Sequence, residues 1–266
     1  MPAYNAEQFI DEAIKSILRQ TYKNFELIII DDCSTDKTLK VIKKFSLLDK
    51  RIKFDKNEKN QGIAVSRNKL VKHAKGKYII WQDADDISIT SRIEKQVKFM
   101  EHNTCVGICG GFLDCFNSKG KTGIRYYSKS DKHLRNNIFR MSPVAQPCSI
   151  IRSKIIKALG KYDITLSSAE DLDMSFRIGS VSKFANIQEV LLKYREHNQS
   201  NTYSQLSKQI KDTLNVRWRY RNSIGYSMNV LDLIFIFVSK IMQKFPNIIV
   251  ISIFKIYKNI LYIYQR

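Results

Sequence analysis

Phe25-Glu26-Leu27-Ile28-Ile29-Ile30-Asp31-Asp32 is the stretch on which the fold turns. A short, continuously apolar run is the pattern of a strand buried on both faces, and this one ends in two carboxylates. Upstream, Ile10, Ala13, Ile14, Ile17 and Leu18 recur at helical spacing, with Asn5 expected as the N-cap and Gln8 three residues on. Downstream, Ser34 is expected to cap a helix carrying Leu39, Ile42 and Phe45. Arg51 to Asp55 then reads as a strand and Ile63 to Ala74 as a helix. Tyr78 to Trp81 is a second buried strand, and it too runs into acids: Asp83, Asp85 and Asp86. The alternation predicts an α/β fold, a mainly parallel sheet covered by helices and joined by right-handed crossovers. Ligands of such sheets sit beyond the carboxyl ends of the strands, so both acid clusters should face one crevice. Crowded like charges repel unless a cation or a donor-rich ligand joins them. Magnesium and manganese favour oxygen ligands and bridge substrate phosphates, which is one reading; solvated loop ends and helix caps are the other.

Composition bounds the rest. The chain has 266 residues, of which 44% are hydrophobic, enough for a real core, and 45 Lys and Arg stand against 25 Asp and Glu. A formal net charge of +20 calls for a polyanionic partner: nucleic acid, a phosphorylated small molecule or an anionic membrane. Cys33, Cys105, Cys109, Cys115 and Cys148 are odd in number and form no CxxC pair, which argues against a disulfide framework or a zinc site. No charged-then-apolar leader opens the chain, so a reduced, cytoplasmic setting is expected.

Past Cys105 the pattern is less regular: strand-like Val106 to Phe116, a basic loop, a short helix near Leu134 to Met141 and an extended Cys148 to Arg152. Glu170-Asp171 opens a helix with Leu172, Met174, Ser175 and Phe176, where an acidic pair serves either the helix dipole or chemistry. Val190 to Arg195 reads as a strand, followed by the polar loop His197-Asn198-Gln199-Ser200.

Taken in order, these motifs resemble the family 2 inverting glycosyltransferases of the GT-A fold, a large group of bacterial surface-sugar transferases. The resemblance covers about residues 1 to 200. It rests on Pro2-Ala3-Tyr4-Asn5, Ser16 to Tyr22, Phe25 to Asp36, Asn60-Gln61-Gly62 with Ser66-Arg67-Asn68, Asp83-Ala84-Asp85-Asp86, Glu170-Asp171 and Tyr194-Arg195-Glu196-His197-Asn198. It implies a nucleotide-sugar donor, UDP-linked, held by Ala3, Tyr4, Asn5, Asp31, Asp32, Gly62, Arg67, Asp83 and Ala84. Carboxylates suit this role because they accept hydrogen bonds from a uracil N–H or ribose hydroxyls. Arg67 is left between two roles, a donor to the nucleotide or a partner of Asp83. The resemblance further implies a divalent metal, Mn2+ or Mg2+, on Asp85 with His197 nearby, and Asp171 as general base with Glu170 beside it. Asp86 is left between assisting the metal and capping a helix. The implied acceptor is a lipid-linked or glycan hydroxyl. Relatives carry a full apolar strand before the Pro-x-Tyr-Asn segment, whereas this chain opens at Met1. The expectation is therefore a misassigned start or a copy whose central sheet lacks a strand, the second leaving room for a non-catalytic scaffold.

Residues 201–266 hold ten Lys and Arg and two Asp, the most cationic part of the chain. Tyr203, Leu206, Ile210 and Leu214 suggest a helix leading into Arg217-Trp218-Arg219-Tyr220-Arg221, and Leu231 to Val238 and Ile248 to Phe254 are apolar runs too short to span a bilayer. Amphipathic helices lying on an anionic membrane surface fit this pattern, placing the protein peripherally at the inner face of the membrane. The alternative is that these helices pack on the catalytic domain or form a homodimer contact. No nucleic-acid partner is expected, because no recognised module accompanies the basic run.

Overall fold

The computed structural model describes residues 1–197 and 206–242. Its first sheet is wholly parallel: β1 (Pro2–Ala3), β2 (Leu27–Asp31) and β3 (Ile52–Lys56) lie side by side in that order, with Ala3 opposite Asp31 and Asp31 opposite Lys56. The register brings the carboxyl ends of all three strands to one edge. Helices α1 (Ile10–Leu18) and α2 (Thr38–Leu48) cover the sheet because Ile10, Ala13, Ile14, Ile17, Ile42 and Phe45 fall on their inner faces and pack with Leu27 and Ile29.

The second sheet runs β4 (Tyr78–Ile80), β8 (Ile150–Arg152), β6 (Val106–Asn117), β9 (Lys183–Arg195) and β5 (Ile87–Ser88), with β7 (Gly120–Arg125) folded back on β6. Parallel pairing is confined here to β6 with β9, and the other pairs are antiparallel. Ile28 and Ile30 of β2 join Ile79, Trp81, Ile108 and Ile151 in one core, so the two sheets are packed as one body. The expected single sheet is divided, with β1 and β4 each ending one sheet. The helices α3 (Ile63–His73), α4 (Arg92–His102), α5 (Asp131–Asn137), α6 (Ser153–Leu159) and α7 (Glu170–Val181) complete the layers.

Three local expectations are corrected. Asn5 is no cap: it sits at φ 46°, and its Oδ1 accepts from Thr35 N at 2.9 Å, while α1 starts only at Ile10. Ser34 likewise accepts from Asn5 N at 3.0 Å, and Asp36 takes the Thr38 N–H that opens α2. In both cases a loop thirty residues away captured the side chain that local spacing had assigned to a helix. The basic loop after Phe116 is a hairpin, because Asn117 Oδ1 accepts from Lys119 N and Gly120 takes a φ of 117° that closes the turn.

The described C-terminal helices show the packing on the catalytic domain that the sequence left as the alternative. Helix α8 (Leu206–Arg219) docks on α7: Val216 is in the main core, Tyr220 stacks on Phe176 at 4.6 Å, and Arg219 bonds Asp163 and Asp173. Helix α9 (Val230–Met242) packs Ile236 and Met242 on Ile210 and Leu214, and its buried Asp232 pairs with Arg140 at 2.8 Å. Its other side exposes Val230, Leu231, Leu233, Ile234, Phe237, Val238 and Ile241. Among the described residues no helix is long and apolar enough to cross a membrane. Asn198, Gln199, Ser200, Tyr203 and the run Ile248 to Phe254 lie outside the described residues.

Candidate active site

At the end of β2, Asp32 is buried and its carboxylate is fully used. Oδ1 accepts from Asn57 Nδ2 (2.6 Å) and Gln61 N (2.9 Å), and Oδ2 accepts from Gly62 N (2.8 Å). Gly62 adopts φ 87°, which lets the chain turn from that contact into α3. Asp32 thus holds the 57–62 segment in place. Asp31 accepts from Ser34 N at 3.3 Å through Oδ2, while its buried Oδ1 has no hydrogen-bond partner. Ala3 accepts from Asp32 N at 2.8 Å, and Ala84 packs with Ala3 and Ala6, so β1 lies between the two acid clusters. Tyr4 stands at the strand end with 48% of its surface exposed.

The second cluster is built by the turn after β4. Gln82 Nε2 donates to the carbonyls of Asp83 and Asp86, and its Oε1 accepts from Ser88 Oγ and from the buried Arg92. One ligand oxygen each of Asp83, Asp85 and Asp86 falls within 4.8 Å of the others. His197, brought in by β9, lies with Nε2 2.9 Å from Asp85 Oδ2 and its ring against Phe9. Arg195 clamps the turn from behind, its N–H on Asp86 Oδ1 and its Nε on the Asp85 carbonyl, both at 2.9 Å. Asp86 Oδ2 and His197 Nδ1 are buried without hydrogen-bond partners. Burial pushes the Asp83 carboxyl up to about 6, against the pull of Arg67 and with the push of Asp85. Burial and the neighbouring Asp85 hold Asp86 well above the ordinary carboxylate range. Oxygen donors beside one imidazole form a donor set that Mn2+ or Mg2+ accepts.

Arg67 joins this cluster to the late acidic pair. It is 3% exposed, ion-paired with Glu170, 3.9 Å from Asp83 Oδ1, and set over the rings of Trp81 and Tyr162. Of the two roles left open for it, the structure shows the pairing: the buried guanidinium lies against Glu170 and Asp83. Burial pushes the Glu170 carboxyl up to about 7, with Arg67 opposing and Asp171 adding to the shift. Asp171 is half-buried at the start of α7, close enough to act electrostatically on both Arg67 and Asp83. Asn68 exchanges two hydrogen bonds with the backbone of Tyr162, locking α3 to the segment before α7. Gln82 and Arg92 were missed by motif reading; the only signal was a polar Gln between an apolar strand and an acid cluster.

The fold and this constellation define a glycosyltransferase of the GT-A class. The chain belongs to glycosyl transferase family 2, whose family model matches residues 1–160. An uncharacterized glycosyltransferase of Methanocaldococcus jannaschii is 36% identical over 236 residues, 86% of this chain and 81% of that one. Among solved structures, S. aureus TarS 1-349 in complex with UDP-GlcNAc superposes with a TM-score of 0.69 at 20% identity, over 84% of this chain and 66% of that one. The mannosyltransferase PcManGT from Pyrobaculum calidifontis, solved with GDP-Man and Mn2+, gives 0.63 at 16%, over 92% and 69%. At such identities these two structures bear on the fold alone.

Proposed function

We propose that the protein is an inverting glycosyltransferase that moves a hexosyl or N-acetylhexosaminyl group from a UDP-sugar to a hydroxyl of a lipid-linked or surface-glycan acceptor. The observation that carries this reading is the joining of three distant motifs: Asp83-Ala84-Asp85-Asp86 with His197, and through Arg67 the pair Glu170-Asp171. Ala3, Tyr4, Asp31 and Gly62 form the donor end, with Asp32 holding the 57–62 segment against it. Asp85 and His197 would hold the divalent metal, with Asp83 and Asp86 at its flank. When bound, such an ion stabilises the negative charge that grows on the departing diphosphate. Asp171 takes the proton from the acceptor hydroxyl while that oxygen bonds to the anomeric carbon and the bond to UDP breaks on the opposite side. Glu170, fixed by Arg67, keeps the base at the mouth of the crevice.

The same reading places the protein at an anionic membrane surface on the cytoplasmic side. It is supported by the seven large apolar side chains exposed on α9, with Trp218 exposed nearby between Arg221 and Lys240. Sedimentation with phosphatidylglycerol vesicles tests this part: Leu233→Glu with Phe237→Glu should leave the folded protein in the supernatant. Continued pelleting would overturn it.

The decisive measurement for catalysis is calorimetric titration of the chain with UDP, with and without Mn2+. Metal-dependent binding that is lost in Asp85→Asn is expected. Absence of binding by UDP and by every other nucleoside diphosphate, in a sample shown to be folded, would overturn the proposal.

A further inference from the structure

The turn that delivers Asp171 is held from two sides, and only one side belongs to the motifs. Ala169 occupies the left-handed region at φ 63°, a conformation a residue with a side chain keeps only when its surroundings impose it, and no side chain caps α7. On the inner side Arg67 grips Glu170. On the outer side stands Asp212 of α8. Its Oδ2 accepts from Ser167 Oγ at 2.9 Å, from Ser168 Oγ at 3.1 Å and from Ser168 N at 3.3 Å, so one carboxylate oxygen gathers the two residues before Ala169. Helix α8 is itself anchored to α7: Arg219 and Tyr220 Oη both donate to the buried Asp173 Oδ1 at 3.0 Å, and Arg219 also reaches Asp163. Asp212 therefore hangs from a helix whose far end is bolted to the same helix that carries Asp171.

We infer that Asp212 is a positioning residue for the transfer reaction: it fixes the 167–169 turn and through it the placement of Asp171, without touching substrate. The inference rests on Asp171 being the general base. It makes α8 part of the catalytic body and not of a membrane extension.

The test uses the full chain carrying Asp212→Ala or Asp212→Asn, with Asp171→Asn alongside. Hydrogen exchange over residues 165–173, UDP affinity in Mn2+, and turnover of UDP-GlcNAc or UDP-glucose are measured on each. In Asp212→Ala, exchange in that stretch should rise at least tenfold and kcat should fall roughly tenfold to hundredfold, while KM for the donor and UDP affinity stay within about twofold. Asp212→Asn keeps an acceptor oxygen and should recover most of the kcat, which general loosening of the fold would not allow. Unchanged exchange, or wild-type kcat in Asp212→Ala, overturns the inference alone. Wild-type kcat in Asp171→Asn removes the base itself and the inference with it.

Discussion

Two apolar strands end in acids, and the two clusters are built in opposite ways. Asp32 is surrounded by N–H donors that satisfy both of its oxygens, and it works as a bracket for the 57–62 segment. Asp83, Asp85 and Asp86 crowd one another with a single partner each, Arg67 at 3.9 Å, His197 and the Arg195 N–H, leaving a buried oxygen of Asp86 unpartnered and two carboxyls pushed upward. Desolvating a carboxylate without donors is costly, and a fold retains such a cluster where something else completes it. The contrast separates acids that build the site from acids that await a ligand, although both look alike as letters at the ends of strands.

The largest effect expected on the waiting side is at Asp171. Removing a general base lowers turnover by about 10^2 to 10^4-fold, so Asp171→Asn should lose transfer while UDP and Mn2+ bind as before. Steady-state kinetics with calorimetry on the same sample checks it. Undiminished transfer would move Asp171 to the building side of the comparison.

Next comes the bracket. Asp32→Ala strips a charged acceptor from Asn57 Nδ2 and two backbone N–H groups, which should destabilise the fold by about 2–4 kcal/mol. Asp85→Ala, which gives up only the His197 contact, should leave the metal-free melting temperature unchanged within a degree or two, or raise it by relieving like-charge crowding. Thermal denaturation of both variants, with and without Mn2+, decides the matter. Equal losses in the two variants would erase the distinction.

How much of this was legible beforehand follows the same division. Buried strands ending in acids were readable because a continuous apolar run fixes a strand and its polar end fixes the crevice. Asp85 meeting His197 came from the family resemblance, and the structure does bring them together. Arg67 was not readable from spacing: a helix position cannot tell whether a guanidinium reaches a ligand or an internal acid 103 residues away. The caps at Asn5 and Ser34 failed for a related reason, since two loops met and exchanged partners that local pattern could not foresee. For helix α8 the sequence left a membrane surface and packing on the catalytic domain both open, because Asp163 and Asp173, which pair with Arg219, lie far upstream and no local pattern points to them.

The smallest effect, and the finest probe of the comparison, is the pH dependence of stability. Arg67 offers one positive charge to Glu170, Asp83 and Asp171, and burial leaves Glu170 holding its proton up to about 7. The native state then binds more protons at this position than the unfolded chain between roughly pH 4.5 and 7, so its contribution is fully present below that window and is lost as pH rises through it. The difference between wild type and Glu170→Gln isolates this contribution from those of other groups. Chemical denaturation at pH 4.5, 6 and 7.5 should show the substitution costing less at the highest pH than at the lowest, by about 1–3 kcal/mol. A difference that grows with pH would mean that Arg67 holds Glu170 ionised throughout, and would move Glu170 from the waiting acids to the bracketed ones.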